Sequence, residues 1–134
     1  MLFRSFARAL SHDSRHMGHH DSSHITIRFS DGSIGTILYL ANGDPSVEKE
    51  YCEVFCEGKS AIMKNFTTVH FSSGKKTKQK QYDGKKGHTE EVHAFIHAMK
   101  SGSPCPISFE SILQVTEASI AAVESMQQGT IITL

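Results

Sequence analysis

The 134-residue chain has no excess of charge of either sign: 14 lysines and arginines stand against 14 aspartates and glutamates. No global field therefore draws it to nucleic acid or to an anionic membrane, and partner choice rests on local surface. No apolar run approaches the roughly 20 residues needed to span a bilayer. Met1 to Leu10 mixes two arginines with scattered apolar side chains, unlike an export signal. A cytoplasmic protein with no membrane partner is expected. Cysteine is scarce, and its odd number (Cys52, Cys56, Cys105) argues for reduced thiols. Cys52 and Cys56 fall four apart in an expected strand, about 13 Å between Cα atoms, too far for a mutual disulfide or a shared metal. They read as small, buried or half-buried strand residues.

Chemical signatures are absent too. The chain has no G-x-G-x-x-G, no Walker loop, no H-E-x-x-H and no G-x-S-x-G. Without a phosphate-cradling glycine loop it is not expected to be a complete enzyme. His93 and His97 lie one helical turn apart, but two imidazoles alone do not complete a zinc site. They read as solvated surface groups. Residues 1–23 are rich in Ser, His, Asp and Arg and read as a flexible arm. Its histidines, His12, His16, His19 and His20, with His24 at its edge, lack a rigid shell to orient them on a metal, so no metal site is expected.

From His24 the pattern turns regular. Ile25, Ile27 and Phe29 alternate with polar residues up to Asp31-Gly32, a hairpin signal. The returning strand, Ile34 to Leu40, has Ile34, Leu38 and Leu40 on one face and Ile37 and Tyr39 on the other, as though covered on both sides. Two more hairpins are expected: Glu50–Cys56 with Lys59–Lys64, and Phe66–Ser72 with Lys76–Tyr82. Tight turns in succession predict a mainly antiparallel sheet. Lys75, Lys76, Lys78, Lys80, Lys85 and Lys86 come with no arginine and a single aromatic, Tyr82. That composition suits a lysine-guarded edge strand better than a nucleic-acid surface.

Two helices follow. Thr89 is the expected N-cap of the first, Val92, Phe95, Ile96 and Met99 its apolar stripe, and Gly102 its end. Ser108 is expected to cap a longer helix striped by Phe109, Ile112, Leu113, Ile120 and Val123, widened by Val115, Ala118, Ala122 and Met126, and stopped by Gly129. Thr130 to Leu134 reads as a last short strand. The expected fold is α+β, a mostly antiparallel open sheet with two helices on one face, over residues 24–134.

Tyr39, Asn42, Lys49 and Glu50 gather polar groups around the end of the second strand and the start of the third. By themselves they read as ordinary loop contacts sooner than as cleft-lining groups. The run F-S-D-G-S-I-G-T-I-L-Y-L-A-N-G-D-P-S-V-E-K-E-Y-C-E-V-F-C-E-G, Phe29 to Gly58, resembles the C-terminal domain of the Gfo/Idh/MocA oxidoreductases. The resemblance continues through K-N-F at Lys64, K-G-H at Lys86, A-M-K-S-G, P-C-P-I-S-F and E-S-M-Q-Q-G-T-I-I-T-L, and covers residues 24–134.

The resemblance implies an open antiparallel sheet backed by helices, which such enzymes join to an N-terminal Rossmann domain binding NAD(P). The family's E-K-P segment and its histidine- and aspartate-bearing segment have no counterpart here. The implied role is therefore the substrate-side and oligomerisation half of a sugar or polyol dehydrogenase, inactive alone, with Tyr39, Asn42, Lys49 and Glu50 bordering the substrate cleft. NAD(P) is expected only in a full-length or split Rossmann partner. Met1 followed by sequence unlike the family favours a truncated gene product over an excised domain. The competing reading is a stand-alone interaction or regulatory domain. Because helices cover one face of the sheet, a homodimer or tetramer is expected through the other, with Ile37 and Tyr39 as its interface.

Overall fold

The computed structural model describes residues 4–9, 22–41 and 43–134. The chain divides into two units, Met1–Gly43 with Ile107–Leu134, and Asp44–Pro106. Every described strand pairing is antiparallel, and the class is α+β.

In the first unit, β1 (Arg4–Ala9), β2 (Ser22–Arg28), β3 (Ile34–Leu40) and β8 (Ile132–Thr133) form a sheet in the order β3-β2-β1-β8. Asp31-Gly32 turns the β2–β3 hairpin as expected. Gly32 takes φ 88°, and Asp31 Oδ1 accepts from the Ser33 N–H at 2.9 Å and the Ser33 hydroxyl at 2.6 Å. One helix, α2 (Phe109–Gln128), lies against β1 and β8. Its N-cap is Ser108, whose Oγ accepts from the Ser111 N–H at 3.1 Å, and Gly129 ends it at φ 70°.

The register says which side chains share a face, because directly opposed residues do. Ala7 stands opposite Ile25 and Ile25 opposite Ile37, while Ser5 stands opposite Ile27. Ser5 and Ala7 are buried, and Ile25, Ile27 and Ile37 line a hollow of about 300 Å³ with Val115, Ala118 and Ala122 of α2. That is the helix side. The reverse side carries Arg4, Phe6 and Arg8 of β1, His24, Thr26 and Arg28 of β2, and Ile34, Leu38 and Leu40 of β3.

Three expectations change here. Residues 4–9, expected within the arm 1–23, form the inner strand β1, and β2 starts at Ser22 rather than His24. Arg4–Ala9 carries small residues on its buried side, Ser5 and Ala7, so a close approach of α2 orders it although no hydrophobic period announces it. His12, His16, His19 and His20 lie outside the described residues. Ile37, expected on the open face, lies on the α2 side, as its opposition to Ile25 and Ala7 requires, and Tyr39 shares its parity. The open face is that of Ile34, Leu38 and Leu40, which are 71%, 64% and 59% exposed. Finally, α2 is buried through Ala122 of its expected apolar face together with Ala121 and Ser125, and not through the large members of its stripe, because small side chains let helix and strand backbones approach.

The second unit holds β4 (Tyr51–Cys56), β5 (Lys59–Lys64), β6 (Thr68–Ser73) and β7 (Lys76–Gln81) in a meander of that order, then α1 (His88–Ser101). The β4–β5 turn is Glu57-Gly58, φ 48° and 71°, the doubly left-handed geometry that two-residue hairpins favour. The lysine-rich β7 lies at an edge of the sheet, where the sequence suggested it. Gly87, φ 78°, and not Thr89 is the N-cap of α1, with no side-chain cap bond. The first helical turn closes from Glu91 N–H to Gly87 O at 2.8 Å, so the helix has already started at Thr89. Cys52, Cys56 and Cys105 are free and exposed. The first two were expected to be at least half-buried, but β4 is the other edge strand and, among the described residues, pairs with a strand on one side only.

Candidate functional site

The β5–β6 turn places two consecutive non-glycine residues in the left-handed region, Asn65 at φ 47° and Phe66 at φ 56°. A bulky side chain there is unfavourable by about 1–3 kcal/mol, so its surroundings must hold it. They do so through both ends of one residue. The Asn65 N–H donates to the Glu50 carbonyl at 2.6 Å, and the Thr67 N–H donates to the Lys64 carbonyl at 3.0 Å. The Glu50 carboxylate accepts from Lys86 Nζ at 3.3 Å, and that ammonium lies 5.5 Å from the centre of the Phe66 ring. Glu50 and Lys86 are 40% and 55% exposed, so solvent screens the pair and its contribution to stability is small. Its consequence is positional: a carboxylate, an ammonium and an aromatic face are held together at a strained turn.

Such a trio can accept and donate hydrogen bonds to a hydroxyl-rich ligand and cover its apolar ring face. The preceding loop is itself fixed. Asp44 Oδ1 accepts from the Ser46 N–H at 2.9 Å and the Ser46 hydroxyl at 2.6 Å, and these bonds hold its carboxyl below the usual aspartate range. Asp83 is lowered in the same way, by hydrogen bonds from Lys85 and then by its charge.

Of the four residues singled out from the sequence, Glu50 belongs to this cluster and Lys49 is exposed just before it. Tyr39 lies in β3 of the other unit, 63% exposed, and Asn42 lies outside the described residues. Lys86 and Phe66 were not singled out. Their signal was present in the K-N-F and K-G-H segments, but nothing local in the sequence shows that residues 36 positions apart meet.

The hollow beneath α2 offers less chemistry. Its polar members are Gln114 and Ser119, and the Ser119 hydroxyl already donates to the Val115 carbonyl at 2.9 Å. His93 and His97 are exposed on α1. Among the described residues, no group of three or more His, Cys, Asp or Glu gathers as a metal site would need. No helix among them is long and apolar enough to cross a membrane.

No family model matches the chain, and no curated protein does. Solved structures do match in fold. An oxidoreductase from Agrobacterium radiobacter, solved with NAD+, L-tartaric acid and magnesium, superposes with a TM-score of 0.79 at 12% identity, over 98% of this chain and 43% of its own. An NAD-binding oxidoreductase from Klebsiella pneumoniae gives 0.76 at 16% identity, over 98% of this chain and 45% of its own. A myo-inositol dehydrogenase from Corynebacterium glutamicum gives 0.57 at 14% identity, over 99% and 43%. The chain thus spans less than half the length of these enzymes, and over nearly all of its own length it has the fold of a part of Gfo/Idh/MocA-type oxidoreductases.

Proposed function

We propose that the chain is the substrate-side and association domain of a nicotinamide-dependent sugar or polyol dehydrogenase, acting in the cytoplasm with a Rossmann domain that supplies NAD(P). The observation that carries this reading is the fold match, which takes in nearly the whole chain yet less than half of each oxidoreductase. The Glu50–Lys86–Phe66 cluster supports it with the donor, acceptor and ring face that a polyol needs. We assign no catalytic residue, and hydride transfer requires the partner domain. Lys49 and Glu50, in the unit that holds this cluster, keep their proposed place at the border of the substrate cleft. Association into a homodimer or tetramer is proposed through the open face of the first sheet, with its interface at Ile34, Leu38 and Leu40 in place of Ile37 and Tyr39.

The test is a titration of isotopically labelled chain with myo-inositol and a panel of sugars, followed by NMR. Shifts centred on Glu50, Phe66 and Lys86 are expected, weakened by Lys86→Ala. Neither NADH nor NADPH should form when NAD or NADP, respectively, is added to the chain alone. Ligand shifts confined to other regions would remove the cluster from the proposal, and turnover by the isolated chain would overturn the division of labour.

A further inference from the structure

The edge strand β4 has an internal symmetry that the proposed function does not use. Its sequence around Val54 is Cys52-Glu53-Val54-Phe55-Cys56, with one cysteine two residues to either side of the centre. Both cysteines are exposed, and Val54 and Phe55 are 55% and 71% exposed. Cys52, Val54 and Cys56 project from one face of the sheet, opposite Met63, Ala61 and Lys59 of β5. On its outer side β4 has no strand partner among the described residues. It carries no lysine, proline or bulge, and Glu53 is its one charged side chain. The opposite edge, β7, carries Lys76, Lys78 and Lys80.

Hydrogen-bond direction follows from the hairpin. Cys56 and Lys59 close a two-residue turn, so Cys56 and, by alternation, Val54 and Cys52 aim their peptide groups at β5. Tyr51, Glu53 and Phe55 aim theirs outward. We infer that β4 is a self-pairing edge: two copies of this chain join antiparallel about a two-fold axis through Val54. The outward groups of Glu53 and Phe55 in one copy then bond those of Phe55 and Glu53 in the second. Cys52 of each copy stands opposite Cys56 of the other.

These opposed cysteines occupy the pair type without mutual hydrogen bonds, whose Cα atoms are about 4.5 Å apart, within the roughly 4.4–6.8 Å that a disulfide accepts. The four-residue spacing that rules out a bridge within one strand thus permits two between strands. Charge favours this partner: β7 against β7 would set six ammonium groups along one seam, whereas β4 against β4 faces each Glu53 with Phe55. Glutathione disulfide completes the bond. The Cys52 thiolate attacks it, forming a mixed disulfide and releasing one glutathione thiolate. The thiolate of Cys56 in the second copy then displaces the other. Two protein thiols are oxidised as one glutathione disulfide is reduced to two thiols.

The experiment uses the full chain carrying Cys105→Ser, equilibrated with glutathione disulfide, quenched by alkylation and resolved by non-reducing electrophoresis. A covalent species of twice the 14.8 kDa chain mass is expected, and dithiothreitol should abolish it. Cys52→Ser or Cys56→Ser alone should give none. An equal mixture of the two should restore roughly half the parent's yield, since random pairing makes half of the dimers mixed. Circular dichroism of each variant checks that the fold is kept. Dimers from either single variant alone would overturn the register, and a parent that stays monomeric would overturn the pairing.

Discussion

The backbone N–H of Ala7 donates to the hydroxyl oxygen of Ser125 at 3.0 Å, across 118 positions of sequence. β8 is opposed only to Arg4 and Ser5, so beyond its end the helix supplies the partner that a longer strand would have given. The same hydroxyl donates to the Thr130 carbonyl at 2.6 Å, which ties the end of α2, the following turn and β1 to one atom. Ser125→Ala leaves a buried donor and an acceptor unpaired and should cost about 1–3 kcal/mol. Urea denaturation of variant and parent checks it, and an unchanged midpoint would show that water satisfies both groups.

The neighbouring strand position predicts the opposite sign. Ser5 is 1% exposed and its Oγ has no hydrogen-bond partner among the described residues. Ser5→Ala removes the unpaired hydroxyl at little cost in volume, and the same melts should show a gain of about 1 kcal/mol.

A third prediction separates the two faces of the first sheet. Ile37→Lys places an ammonium group in the hollow beneath α2 and should lower the melting temperature at any protein concentration. Leu38→Lys, on the reverse face, should leave the monomer's melt nearly unchanged and shift light scattering toward monomer. Equal effects of both on association alone would put Ile37 back on the open face.

Acid should loosen the β2–β3 turn. Hydrogen bonds from the Ser33 hydroxyl and amide hold the Asp31 carboxyl below its ordinary range. A depressed folded value contributes stability that is fully present above the ordinary aspartate value, near about 3.9. That contribution is lost as pH falls through the lower folded value. Asp31→Asn keeps an acceptor for Ser33 but no longer titrates. Its melting temperature should fall less steeply than the parent's below pH ~4, and parallel curves would mean the turn does not couple to folding.

What the sequence revealed and what it hid follow from the range of the interactions. Asp31-Gly32, Glu57-Gly58, Ser108 and Gly129 are local signals, and each turn or helix end formed where its residues demanded it. β1 was hidden because its partners lie across residues 10–21 and at the far terminus, and because Ser5 and Ala7 do not read as apolar positions. Alternation divided β3 into two sets of side chains. Which set met the helix depended on the opposition of Ile37 to Ile25 and of Ile25 to Ala7. At the candidate site, Glu50 could be named from its loop, whereas Lys86 and Phe66 joined it only when the meander had folded.

The lysines of β7 bear on how large an assembly can become. A sheet whose two rims were both bare could add copies at either end without limit, as fibres do. Here one rim carries three ammonium side chains and the other none. When the bare rims of two copies meet, both outward rims are cationic, and a third copy meets charge rather than an open seam. On the proposed β4 pairing the lysine ladder acts as a growth terminator, and association through this sheet is expected to stop at two copies.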